Sequence, residues 1–243
     1  MKSLNRPLEC AVTALSEGNL SQTSEPGTVK GEGAYHHGDL PATLMDLAIT
    51  HIALEGTEKL SLRALAREAG VSATAPYKHF PTKRCLLAAL ATRGFRALGE
   101  ATRGVVVSGE GLEDSFVEMG MAYVRFATEN PTAYQIMFGT VIEDFSEYPD
   151  LSEAAESSFE PVHNLIELAI ARKPGWDMTP EFLGGMIWTT VHGMASLLIF
   201  AAARLEMDEA LVRRPNRALA ALIAEQERAM RIQVRGMLSQ SEG

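Results

Sequence analysis

The chain has 243 residues, 46% of them hydrophobic and 22% charged, a balance that excludes a disordered polymer and suits one large domain or two small ones. Its two cysteines, Cys10 and Cys85, are too few for a disulfide framework or a metal quartet. A formal net charge of −9 argues against non-specific nucleic-acid binding by the chain as a whole, although the sum hides how the charge is distributed.

Residues 1–34 are polar and glycine-rich in SEGNLSQTSEPGTVKGEG and read as a flexible leader. Glu9, Thr13 and Glu17 break up the only candidate signal segment, so a cytoplasmic location is expected. Helical periodicity then starts. Asp39 is placed to cap a helix whose face carries Leu40, Leu44, Leu47, Ala48 and Ile52, and Gly56 ends it.

The stretch SLRALAREAGVSATAPYKHF, Ser61 to Phe80, predicts two short helices around a glycine turn. Ser61 is positioned to cap the first, with Leu62, Leu65 and Ala66 as its apolar face. At Gly70 a positive φ costs little, and Val71 can plug the angle between the helices. Ser72 is positioned to cap the second, from which Ala73, Thr74, Tyr77 and Lys78 would project outward. Small residues at that end suit a major groove. Thr74 can bond a base edge or touch a thymine methyl, Tyr77 and His79 can donate to phosphates, and Lys78 and Lys83 can lie beside the backbone as charges. Ser61 and Arg63 complete the expected DNA-contacting set. From Tyr35 to Arg84 six basic side chains oppose five acidic ones, so the local balance is about +1 and the rest of the chain is acidic.

Residues 35–91 closely resemble the N-terminal domain of the TetR family of bacterial transcriptional regulators, on YHHGDL, SLRALAREAGVS and APYKHFPTKRCLLAAL. The resemblance implies that Thr74, Tyr77, Lys78 and His79 face DNA and that Lys83 contacts a phosphate. Pro76 departs from it, standing where many relatives carry a large aliphatic residue. Its missing amide forfeits a bond to the Ser72 carbonyl and predicts a distorted start to the reading helix.

Further helices are expected from about Thr82 to Arg103, Leu112 to Glu129, Pro131 to Phe138, Leu151 to Arg172, Thr179 to Arg204 and Pro215 to Leu238, with VIEDFSEYP as an irregular crossing. No strand pattern is sustained. The fold class is therefore all-α, with a three-helix head over residues 35–95 and a helical body over residues 96–243. FLGGMIWTTVHGMASLLIF is uncharged enough to pass for a membrane span, but Thr189, Thr190, His192 and Ser196 interrupt it and no basic cluster flanks it, so no membrane partner is expected.

Trp188, His192 and Gly193 resemble the C-terminal WHG type of TetR-family domain. By that resemblance the last two long helices form a four-helix interface in a homodimer, with Trp188, His192, Gly193 and Leu197 in the contact. The family likeness also implies a pocket for a small lipophilic effector, with Tyr123, Phe126, Phe138, Phe159, His163 and Trp188 as its candidate lining, and an effector-released repressor of a palindromic double-stranded operator. No cofactor or metal is implied. Glu160 and His163 give one Glu-x-x-His spacing where di-iron bundles use two, so His163 is expected to be partly buried and bonded to backbone. No catalytic triad or phosphate-cradling loop is present, which argues against an enzyme. The competing reading is a helical-bundle ligand carrier or metal enzyme in which the glycine-turned helices are only scaffold.

Overall fold

The computed structural model describes residues 39–105, 111–205 and 217–239, and every regular element among them is helical. The leader and the YHHG approach lie outside the described residues. Helix α1 (Leu40–Glu55) begins as its sequence dictates: the Asp39 side chain accepts from the Ala42 amide at 3.2 Å, Pro41 sits in the first turn, and Gly56 ends the helix at φ 82°. Its buried face is Leu44, Met45, Ala48 and Ile52. Helix α2 (Leu62–Glu68) packs against it through Leu62, Leu65 and Ala66, and Gly70 turns the chain at φ 69°. Ser61 occupies the capping position of α2 but its side chain makes no capping bond there, contrary to expectation.

The reading segment is not an α-helix. Only a 3₁₀ turn, Pro76–Lys78, forms, because Pro76 brings no amide to the Ser72 carbonyl and the Ala75 amide takes it instead at 3.0 Å. The amides of Tyr77, Lys78 and His79 likewise bond three residues back, to Thr74, Ala75 and Pro76. Ser72 does not cap either: its hydroxyl pairs with that of Thr74 at 3.2 Å. The three-helix head is thus two helices joined by a 3₁₀ turn at Thr57–Lys59, the tight 3₁₀ turn of the reading segment and the start of the next helix.

Helix α3 (Lys83–Arg103) is capped by Thr82, whose hydroxyl accepts from the Cys85 amide at 3.2 Å. The expected boundary at residue 95 falls inside it, so one helix serves both head and body. Arg93 on α3 holds Asp46 on α1 at 2.7 Å. The body follows as α4 (Leu112–Glu129), α5 (Pro131–Phe138), α6 (Pro149–Ser158), α7 (Glu160–Ala171), α8 (Pro180–Leu205), α9 (Arg217–Ala224) and α10 (Gln226–Leu238). The single helix expected from Leu151 to Arg172 is two, α6 and α7, broken at Phe159 before Pro161. The final helix is likewise divided at Glu225, and its expected first residues, 215 and 216, lie outside the described residues.

One continuous core runs from Leu44, Leu65 and Phe80 in the head through Leu86, Leu90 and Leu98 of α3 to Val117, Ile136, Leu151 and Leu165 in the body. Helix α3 packs most extensively on α6. Their approach is close because Gly99 has no side chain: a Cβ there would lie 3.2 Å from the Ser158 Cα. Helix α10 closes the far side of α4, where Arg235 reaches Glu113 at 2.8 Å and Arg231 pairs with Asp114.

Candidate nucleic-acid interface and ligand cavity

The reading segment presents a sharp inside and outside. Pro76 and Phe80 are buried against α1 and α2, while Ser72, Ala73, Thr74, Tyr77, Lys78 and His79 are all exposed. Pro76 and Phe80 are four residues apart, and the Phe80 amide bonds the Pro76 carbonyl at 2.8 Å, which sets both on the inner side and leaves Tyr77, Lys78 and His79 between them on the outside. Ser61 and Arg63, at the start of α2, are exposed as well. Arg63, Arg67 and Lys78 make no ion pair among the described residues, which leaves their charges available to an anion. Lys83 is only partly exposed, and its ammonium donates to the Glu58 carbonyl at 3.0 Å. To contact a phosphate it must share or exchange that bond.

The body holds a cavity of about 540 Å³ between α3, α4, α5, α6, α7 and α8. Of the candidate lining residues, Tyr123, Phe138, Phe159, His163 and Trp188 border it, whereas Phe126 is buried in the core beside it and does not. Helix α3 supplies Phe95, Leu98 and Thr102 to the same wall. His163 is not the partly buried, backbone-bonded histidine that was expected. Its side chain is 57% exposed, and Nε2 faces Glu167 Oε1 one turn on at 3.3 Å. No cluster of histidine, cysteine, aspartate or glutamate among the described residues could hold a metal.

Beside the cavity lies a buried polar cluster that the sequence did not suggest. The Tyr123 and Tyr134 hydroxyls are 3.0 Å apart, and the Tyr134 hydroxyl donates or accepts at 2.7 Å with Nδ1 of His192, whose ring stacks on it at 5.5 Å. Burial, joined by the bond to Tyr134, pushes the Tyr123 phenol far up, and burial also raises Tyr134. Both therefore stay protonated. Burial holds the His192 imidazole below its ordinary value. Tyr134 was missed because its partners come from α4 and α8, 11 and 58 residues away, and no local pattern announces such a meeting.

The His192 shift has a measurable consequence. Because the folded-state value is depressed, the unfolded chain binds the extra proton first, so stability is full above pH about 6.5 and falls as pH drops from there toward the folded value. His192→Gln is expected to flatten that acid slope in urea denaturation between pH 7 and 5; an unchanged slope would show that other groups set it.

Helix α8 is long and apolar enough, from Pro180 to Ala203, to cross a bilayer by length and composition, yet little more than a quarter of that stretch is buried inside the chain. Its buried side, Leu183, Val191, Met194, Ala195 and Leu198, packs on α4, α7 and α10. The opposite stripe, Phe182, Gly185, Thr189, Gly193, Leu197 and Phe200, is apolar or small and mostly exposed. Gly193 and Leu197 lie on that stripe. Trp188 and His192 sit about a quarter turn round from its centre, with their rings 5.4 Å apart and both packed on Phe138. The four residues expected in one contact thus divide between the outer stripe and the cavity side.

Comparison with known proteins gives the same division of the chain. Residues 44–90 match the family described as "Bacterial regulatory proteins, tetR family", and residues 116–222 match the "Tetracyclin repressor-like, C-terminal domain". A protein of unknown function from Rhodococcus sp. RHA1 is 29% identical with a TM-score of 0.63, covering 83% of this chain and 98% of its own. The TetR-family regulator PfmR from Thermus thermophilus shares the fold at 17% identity and a TM-score of 0.52, over 82% of this chain and 99% of its own. TetR from Acinetobacter baumannii AYE does so at 18% and 0.54, over 82% and 94%. Comparison with curated proteins finds no significant match. With a reading head and a body that both match TetR-family domains, the chain belongs to the TetR family and is a DNA-binding transcriptional regulator, not an enzyme.

Proposed function

We propose that the protein is a cytoplasmic homodimeric repressor that sets two reading segments on a palindromic operator and leaves it when a small lipophilic molecule fills the cavity. One observation carries this reading: α3 runs unbroken from Lys83, just beyond the reading turn, to Phe95, Leu98 and Thr102 in the cavity wall. A rigid helix with one end in each site lets a change at the cavity bias the head, provided the ligand binds the two arrangements with different affinity. The exposed stripe of α8 supports the dimer, since a helix apolar on both sides needs a partner on its second side, and two-fold pairing would set the heads about one duplex turn apart, roughly 34–36 Å. The same need accounts for the apolar length of α8 without a membrane. The DNA contacts fall to Thr74 for base edges and to Ser61, Arg63, Ser72, Tyr77, Lys78, His79 and Lys83 for backbone positions, with Ala73 leaving room for the groove floor.

Mobility shift and protection mapping on the DNA upstream of the protein's own gene test the reading. A two-fold symmetric footprint is expected, with affinity falling steeply as salt rises. Lys78→Ala should weaken all sequences alike and reduce the salt slope by about one, the share of a single neutralised phosphate, whereas Thr74→Ala should change sequence preference. Thr74→Ala with an unaltered preference removes Thr74 from base reading, and no binding to any duplex in dilute buffer ends the proposal.

A further inference from the structure

We infer that the cavity selects a lipophilic molecule that donates hydrogen bonds and carries no negative charge, with Tyr123 as the residue that reads the donor. The inference deepens the effector reading above and rests on it.

The argument is an account of which polar groups the cavity has left to offer. No lysine or arginine lines it among the described residues, and its one carboxylate, Glu181, lies in the first turn of α8, where it already answers the positive end of that helix. An anionic ligand would therefore lose its hydration and meet no lysine or arginine, and the one imidazole of the wall, His163, already faces the Glu167 carboxylate at 3.3 Å. Carbonyl-only ligands fare little better, because the hydroxyl protons of the wall are committed. Thr102 donates to the Leu98 and Gly99 carbonyls at 3.1 and 3.2 Å, and Ser158 donates to the Ala155 carbonyl at 2.7 Å. What these oxygens retain are lone pairs.

Tyr123 is the member of the buried cluster that borders the cavity. With His192 neutral and Nδ1 accepting, the 2.7 Å bond takes the Tyr134 proton, and the Tyr123 proton then goes to the Tyr134 oxygen. That orientation leaves Tyr123 as an acceptor with two lone pairs. A ligand hydroxyl or N–H supplies the missing donor, and the aromatic wall of Phe95, Phe138, Phe159 and Trp188 receives the rest of the molecule. Alcohols, phenols and protonated amines share this chemistry.

A matched biphenyl series tests it on the full-length protein by isothermal titration without DNA. 4-Hydroxybiphenyl and 4-(aminomethyl)biphenyl carry donors, 4-methoxybiphenyl has none, and biphenyl-4-carboxylate is an anion. At least one donor probe should bind once per chain, about fivefold tighter than the methoxy compound, as for one net hydrogen bond, and at least about tenfold tighter than the carboxylate. Tyr123→Phe should bring the donor probe down to the methoxy value and leave the methoxy compound unchanged. Carboxylate binding equal to the donor probes, loss of methoxy binding in Tyr123→Phe, or no binding by any member overturns the inference. Binding by the hydroxyl probe alone identifies a neutral ligand, and binding by the amine alone a cation; both support it. Because no DNA is present, failure here leaves the regulator reading standing, and failure of the mobility shift leaves this result intact.

Discussion

Gly193→Glu combined with Leu197→Glu is expected to yield a folded monomer whose operator affinity is at least about a hundredfold lower. Both positions lie on the outward stripe of α8: Leu197 is 50% exposed, and a Cβ at Gly193 would meet nothing within 4 Å. Beside them a depression of about 290 Å³, bounded by Thr189, Leu222 and Gln233, shows that the face is unfilled in a single chain. Across a two-fold axis each carboxylate faces the same patch on the partner, so the substitution buries like charges together and desolvates them at once. Monomer stability should hold, because replacing a helical glycine favours the helix by roughly 0.5–1 kcal/mol and nothing nearby obstructs the new side chain. The loss in DNA affinity follows from breaking the tether between heads, since joining two modules raises overall affinity by about 10²–10⁴ when both can engage. Sedimentation at micromolar concentration reads the first effect and mobility shift the second. A variant that stays dimeric moves the interface off α8, and a monomer that binds as tightly as the parent removes the need for two heads.

Local chemistry made much of this architecture legible. Asp39 and Thr82 announce their helices by capping, and Gly56 and Gly70 announce breaks through positive φ, so α1, α3, α4 and α5 lie where periodicity and punctuation put them. Pro76 foretold the distortion of the reading segment, although not that the whole segment would tighten to 3₁₀ geometry. Breaks at Phe159 and Glu225 were harder to see. Pro161 is tolerated in a helical first turn and so marks either an interior kink or a new start, while Glu225 is itself a good helix former. Of the six cavity candidates Tyr123, Phe138 and Phe159 border the cavity as aromatic residues on inward faces with few other places to go, and His163 and Trp188 border it from more exposed positions, but Phe126 satisfies the same description as the first three from the core. Tyr134, Thr102 and Ser158 were invisible as cavity or network residues. Their roles depend on which carbonyl or ring another helix brings near, and spacing along the chain does not encode that.

Phe80→Ala is expected to abolish binding to every duplex while leaving the dimer assembled. Phe80 is fully buried at the junction of α1, α2 and α3, and its amide reaches the Pro76 carbonyl at 2.8 Å, closing the reading turn. Truncating such a phenylalanine costs about 3–5 kcal/mol, which in a chain of this size lowers the melting temperature by about 10 °C. The cost falls locally. The segment from Ser72 to Phe80 has only its two buried residues, Pro76 and Phe80, to hold it against the head, and its three-residue-back bonds are weaker in geometry than those of an α-helix. Removing one of two anchors should let the amides of Ala75, Tyr77, Lys78 and His79 exchange freely while those of α8 and α10 keep their protection. Hydrogen exchange by mass spectrometry separates this from general unfolding, and the loss should be uniform across sequences because positioning, not base recognition, is what fails. If Phe80→Ala retains sequence-specific binding near the parental level, the turn holds its shape without the core beneath it, and the assignment of Pro76 and Phe80 as the platform for Thr74, Tyr77 and Lys78 is wrong.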